Sequence, residues 1–240
     1  MRLASLFSGG KDSTYATYLM EQSGQEVPFL VTIVPEDPYA MLFHTLNLGT
    51  VPLHAQSMGK ELVSVPSSGQ EDEDLEALKG ALSTLEVDGV ITGAIASDYQ
   101  WDRINRVCEG LGLRCFSPLW RKDQEMLLHD IVQAGVKAMI VGTFAEGLDQ
   151  NWLGRVLDEK AIDDLMAVSR RSGINVSGEG GEYETLAFDS PLHSCPLELL
   201  GQERQVSRDS SKLIIRNPRL AGHTPKACRM SSKRPSMSGV

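Results

Sequence analysis

Little in this sequence points to a membrane, a secretory route or a metal framework. No apolar run among the 240 residues approaches the roughly 20 that a bilayer span needs. The opening MRLASLFSGG turns glycine-rich too soon for a secretion signal. The four cysteines, at 108, 115, 195 and 228, show no C-x-x-C pair and no zinc-like spacing, and read as reduced thiols in a cytoplasmic protein. Positive charge is also in short supply. With 23 Lys and Arg against 32 Asp and Glu, the formal net charge is -9, which disfavours broad, charge-driven binding to nucleic acid. What is present, 41% hydrophobic residues, is enough to core one large domain or two modest ones.

The first half alternates strand-like and helix-like segments. Residues 3–7 form a short apolar run, and 12–22 continue as a helix ending near Gly24. The run VPFLVTIV at 27–34 is β-branched and apolar on both faces, as a buried parallel strand requires. VPLHAQSMGKEL reads as a helix leading into LVSVP. EDEDLEALKGALSTLEVDG opens with acids, sets Leu75, Leu78, Leu82 and Leu85 on one face, and stops at Gly89. VDGVITGAI, a helix over 100–111 and the short strand LRCFSPL complete the alternation. The fold class is therefore α/β, a doubly wound parallel sheet over residues 1–117.

After Pro118 the pattern loosens. One further helix–strand pair precedes an amphipathic helix carrying Ile162, Leu165 and Val168. The glycine-rich GEGGEYETLAFDSP and a final strand KLIIRN follow. These mark a second, smaller α+β domain over 118–220. Residues 221–240 lack an apolar period and read as a disordered tail.

The stretch SLFSGGKDSTY places Ser8, Gly9, Gly10, Lys11, Asp12 and Ser13 where the first strand meets the first helix. Ligands of open α/β sheets bind beyond the carboxyl ends of the strands. Two glycines let backbone N–H groups approach an anion, the helix start adds its positive pole, and Lys11 with two hydroxyls adds donors. The plain alternative is an exposed turn capped by Asp12 or Ser13. The loop is not a Walker A sequence and has no G-x-G-x-x-G. SGGKDS resembles the PP-loop of the ATP pyrophosphatases, which cleave ATP to AMP and pyrophosphate while adenylating a substrate, on a Rossmann-like (HUP-like) sheet.

Three further stretches narrow the choice within that superfamily. TGAIASDYQWDRINRVCEGLG holds Gly93, Ser97 and Asp98 at a strand edge, then Arg103 and Arg106, with Asp102 and Arg106 spaced for a solvated i, i+4 pair. AEGLDQNWLGRVLDE sets Arg155 among acids around a Leu-Gly turn. GEGGEYET packs Glu179, Glu182 and Glu184 around three glycines, a concentration of charge suited to a cation, or a solvated acidic loop. No cysteine precedes Cys108 to serve a glutaminase half, and no cysteine pair suits tRNA thiolation. SGGKDS together with GEGGEYET is similar to the diphthine–ammonia ligase family, over about residues 2–218. In PEDPYAMLFHT the family's Ser-Tyr-Met reads Tyr-Ala-Met, so no contact is assigned to His44.

The resemblance implies ATP-dependent amidation of diphthine on elongation factor 2 with ammonium as nitrogen source, and with Mg²⁺ at the phosphates. It implies ATP contacts from Ser8, Gly9, Gly10, Lys11, Asp12, Ser13, Gly93 and Ser97, with Asp12 as metal ligand. Substrate contacts fall to Asp98, Arg103, Glu179, Glu182 and Glu184, with Lys11, Asp12 and Glu182 as catalytic groups. A tRNA-modifying relative and a non-catalytic nucleotide sensor are the alternatives. No membrane is implied, and nucleic acid is disfavoured.

Overall fold

The computed structural model describes residues 1–37, 43 and 46–222; His44 and residues 223–240 of the tail lie outside the described residues. The first half runs β1 (Arg2–Leu6), α1 (Lys11–Gln22), β2 (Glu26–Pro35), α2 (Val51–Met58), β3 (Glu61–Ser67), α3 (Glu71–Ser83), β4 (Gly89–Ile91), α4 (Asp98–Gly110) and β5 (Arg114–Phe116). The five strands are parallel in the order β3-β2-β1-β4-β5. Val27, Leu30, Val31 and Ile33 of β2 are all buried, as expected of a strand covered on both faces. Chain order reverses beside β1, so the loops after β1 and β4 meet at the switch point, where such sheets bind ligands.

β4 is shorter than the run VDGVITGAI suggests, because the chain leaves the sheet before Gly93. A Cβ on Gly93 would stand 2.9 Å from the Ser13 nitrogen, so the missing side chain lets the α1 start lie against this loop. α3 ends at Ser83 rather than Gly89, with Leu78 and Leu82 buried and Leu75 and Leu85 packed at the cluster's edge.

The second half contains α5 (Gln124–Gln133), β6 (Lys137–Thr143), α6 (Glu159–Ser172), β7 (Tyr183–Asp189), β8 (Leu197–Val206) and β9 (Ser211–Leu220). Its strands form an antiparallel sheet in the order β7-β6-β9-β8. Ile162, Leu165 and Val168 of α6 are buried. β8 is a strand the sequence pattern does not announce. Only its Leu197 is buried, and the strand is held by pairing with β9 and by Glu198–Arg219 (2.6 Å) and Glu203–Arg216 (2.8 Å).

A single apolar cluster crosses from one sheet to the other, joining Leu3 and Ile91 to Leu127, Ile140, Ile162 and Tyr183. The two sheets are thus welded at their junction. Cys108 and Cys115 are free thiols, whereas Cys195 is disulfide-bonded, which departs from four reduced cysteines. Among the described residues no helix is long and apolar enough to cross a membrane.

Candidate nucleotide and acceptor site

The loop after β1 leads directly into α1. Gly9 takes a left-handed φ of 80°, which glycine adopts without strain. Gly10 is the residue before the helix, and no side chain of the loop itself caps the start; neither Asp12 nor Ser13 does the job that the plain-turn alternative requires. Ser8 and Ser13 brace the loop instead. The Ser13 hydroxyl accepts from the Ser8 nitrogen at 3.3 Å and donates to the Gly10 carbonyl at 3.2 Å, while the Gly10 nitrogen reaches the Ser8 hydroxyl at 3.4 Å. A helix start without its own cap keeps its positive pole for an anion.

This loop is not the exposed turn that its composition suggests. β7 lies across it. The Ala187 nitrogen donates to the Gly9 carbonyl at 2.8 Å, and the Lys11 nitrogen donates to the Thr185 hydroxyl at 3.2 Å. The Lys11 side chain is 3% exposed and turned inward. Its ammonium donates to the Ser177 carbonyl at 2.6 Å and to Asp12 Oδ2 at 2.8 Å, 5.3 Å from the centre of the Tyr183 ring. The second carboxylate oxygen of Asp12 is buried without a partner. Tyr183 donates its hydroxyl to the Val176 carbonyl at 2.7 Å. Burial, then the negative charges of Asp12 and Glu182, push that hydroxyl well above the usual phenol range.

The glutamates divide. Glu179 Oε1 accepts from three successive backbone nitrogens, those of Ile95, Ala96 and Ser97, at 3.0, 2.8 and 2.8 Å. It is a strut from the second half of the chain to the loop after β4, and such charge-assisted bonds are among the stronger ones. Glu182 Oε1 accepts from the Asn175 nitrogen at 2.9 Å and its amide at 2.6 Å, while Glu182 Oε2 is buried and unpartnered. Glu184 lies on β7, because the strand begins at Tyr183; the flexible loop expected through 185 is shorter by three residues. Gly178 is needed for the tight turn: its φ is 77°, and a Cβ there would stand 2.9 Å from the Tyr183 carbonyl.

On α4 the sequence candidates are held by neighbours. Ser97 caps the helix, accepting from the Gln100 nitrogen at 3.3 Å. Asp98 takes a forked contact from Arg121 at 2.7 and 2.9 Å. Arg103 pairs with Glu71 and lies 3.6 Å over the Tyr99 ring. Arg106 meets Asp102 at 2.7 Å, the solvated pair that the spacing offered. Arg155 pairs with Asp164. The structure therefore brings together residues 8–13, Gly93, the 95–97 backbone, Glu179 and Glu182, and leaves Asp98 and Arg103 engaged on α4. Sequence reasoning missed Ser177, Tyr183 and Thr185 as partners of Lys11. Tyr183 and Thr185 stand inside GEGGEYET, and that position was the only signal.

A doubly wound sheet whose switch point carries SGGKDS at a helix start without a side-chain cap defines a nucleotide-binding α/β protein of the PP-loop class. Residues 1–115 match the family model "Diphthamide synthase N-terminal domain", and 123–219 match "Diphthamide synthase C-terminal domain". The chain is 34% identical over 238 residues to diphthine–ammonia ligase of Homo sapiens, covering 90% of this chain and 85% of that one. It is likewise 34% identical to the Danio rerio enzyme of that name, covering 88% and 91%, and 27% identical to the Saccharomyces cerevisiae one, of which the match covers 33%. It belongs to the diphthine–ammonia ligase family. A solved chain titled as a predicted subunit of tRNA methyltransferase from Methanocaldococcus jannaschii superposes with a TM-score of 0.46 at 14% identity, over 80% of this chain and 98% of that one, too loose a likeness to bear on function.

Proposed function

We propose that this chain is an ATP-dependent carbon–nitrogen ligase that amidates the diphthine carboxylate of elongation factor 2 with ammonia, in the cytoplasm. Residues 1–117 hold the nucleotide and 118–220 serve the acceptor. The observation that carries this reading is the α1 start that no side chain of its own loop caps, at the switch point, with the unpartnered Asp12 oxygen beside it.

A carboxylate does not accept ammonia directly, because oxide would have to leave. Attack of a carboxylate oxygen on the α-phosphorus breaks the bond to the bridging oxygen and releases pyrophosphate. Ammonia then attacks the acyl carbon, AMP departs, and the nitrogen loses a proton. The α1 start, Gly9, Gly10 and Ser13 suit the charge that develops on pyrophosphate, and Lys11 reaches it by exchanging its Ser177 contact. Ser8 braces that loop, while Gly93 and Ser97 border it from the β4 side. One free carboxylate oxygen fits Mg²⁺, which usually takes one or two carboxylates with substrate phosphates and water. Among the described residues no group of three or more His, Cys, Asp or Glu side chains could hold a metal ion alone. Mg²⁺ would neutralise phosphate charge, with Asp12 as its ligand.

The free oxygen of Glu182 suits the ammonium or the trimethylammonium group of diphthine. Glu184 lies two residues on, in β7, while Glu179 fixes the loop by which Asp98 and Arg103 begin the acceptor side. The test is amide formation on diphthine-bearing elongation factor 2, read by mass spectrometry with the nucleotide product identified. Amide and AMP should appear only with ATP and ammonium together. ADP as product, or no amide, overturns the reading.

A further inference from the structure

One buried side chain next to the phosphate loop has no part in the chemistry above. His54, on α2, is fully buried, and its Nδ1 lies 2.9 Å from His193 Nε2. His193 Nδ1 lies 2.7 Å from the Ser190 hydroxyl, just beyond β7. Ser57 on α2 pins the same segment, accepting at its carbonyl from the Ser194 nitrogen at 2.9 Å and at its hydroxyl from the Cys195 nitrogen at 3.1 Å. The other nitrogen of the ring, His54 Nε2, is buried and has no partner. It stands 3.3 Å from where a side chain on Gly9 would begin, the nearest atom to that point.

Burial, and then His193, hold the His54 imidazole well below its ordinary range, so the ring is neutral near pH 7. A neutral chain admits two proton arrangements. When Ser190 donates to His193 and His193 donates to His54, the free Nε2 carries a hydrogen and faces Gly9 as a donor; the reverse order presents a lone pair. In both, a buried polar nitrogen is unsatisfied, and its desolvation is uncompensated. An apolar ring would avoid that cost in a setting where Phe7 already packs edge-on at 5.4 Å. The neighbouring loop carries two glycines and an inward-turned Lys11, the groups that must rearrange when phosphate arrives.

We propose that His54 is a positioning residue of the phosphate loop, whose Nε2 gains a hydrogen-bond partner from that loop or its phosphate when a nucleotide binds, with Ser190 and His193 setting its tautomer. The proposal rests on the nucleotide reading above. It makes the empty protein carry a defect that the bound protein repairs, so removing the chain of imidazoles should weaken binding without weakening the fold. A side chain there only for packing would behave in the opposite way.

The test uses the full chain. The double variant His54→Phe/His193→Phe removes both partners at similar shape, and His54→Gln keeps a side-chain N–H. In the double variant the melting temperature should hold or rise, while calorimetric affinity for ATP with Mg²⁺ should fall roughly tenfold, the scale of one hydrogen bond. His54→Gln should recover part of the affinity. In ¹⁵N-histidine spectra of the wild-type chain, the His54 Nε2 signal should move on adding ATP. If the wild-type chain does not bind ATP, the nucleotide reading and this one fall together. If it binds, and the double variant binds equally well, only the positioning role falls. Should the double variant not fold, an Nε2 signal unmoved by ATP overturns the proposal.

Discussion

Residues 8–13 and 178–185 are both glycine-rich and polar, yet they use their polar groups in opposite ways. The first ends in a helix start that none of its own side chains caps, with Asp12 Oδ1 unpartnered. The second places Glu179 on three backbone nitrogens and one oxygen of Glu182 on Asn175. Charge density alone therefore says little about where a ligand goes. Whether each group is already satisfied says more, because burying an unpaired polar atom costs free energy that a purely structural loop has no reason to carry. By that measure the proposed working parts are the phosphate loop and the free oxygen of Glu182, with Glu179 as a buttress. Asp12 and Glu182 both raise the Tyr183 hydroxyl through their charge, so the two carboxylates share one neighbouring ring.

The comparison is sharpened most by Lys11→Ala and Asp12→Ala. Either should lower acceptor-dependent AMP formation by about 100-fold or more. Lys11→Ala should also destabilise the fold by on the order of 3 kcal/mol, since it strips a cation from a site where it is 3% exposed and leaves Asp12 unpaired. Unchanged thermal stability in that variant would mean that the Lys11 contacts to Ser177 and Asp12 do not hold the loop. Next comes Glu179→Ala, which leaves three backbone N–H groups without their acceptor. It should cost on the order of 2 kcal/mol in denaturant unfolding, and a neutral result would remove the buttress.

A smaller effect concerns pH. The folded state holds His54 well below its ordinary value of 6.5. The unfolded chain therefore takes up a proton that the folded ring refuses. That contribution is full above pH 6.5 and is lost as pH falls through the window beneath it, by about 1 kcal/mol one unit lower. Below pH 6.5 the wild-type melting temperature should fall more steeply than that of the His54→Phe/His193→Phe variant, so that the two curves diverge in acid. The smallest effect belongs to Arg106→Ala. Its partner Asp102 is solvated, so stability should change by no more than about 0.5 kcal/mol and amidation should be unaffected. A large loss of amidation would make α4 a recognition surface.

Local patterns carried much of the fold. The two-sided apolar run of β2 and the Ile162, Leu165, Val168 stripe of α6 are buried as their periods imply. β8 escaped notice because its faces are solvated and its order comes from β9. At the site, SGGKDS was legible as a local anion loop. Its covering was not, since the Lys11–Thr185 bond spans 174 positions and the His54–His193 contact spans 139. Glu179 looked like a ligand for the same reason: its acceptor role depends on nitrogens more than 80 positions away.

The central claim, that one glutamate of the second loop works on the acceptor while its neighbour holds the loop, is tested most directly by assaying Glu182→Gln and Glu179→Gln side by side. Amide formation on diphthine-bearing elongation factor 2 would be measured at equal folded fraction and saturating ATP. Glu182→Gln should keep ATP affinity and lose amidation by roughly tenfold or more, because it removes the charge but not the shape. Glu179→Gln should melt earlier yet amidate within about threefold of wild type, since a side-chain oxygen still meets the three nitrogens. Equal losses in both, or a loss confined to Glu179→Gln, would contradict the account.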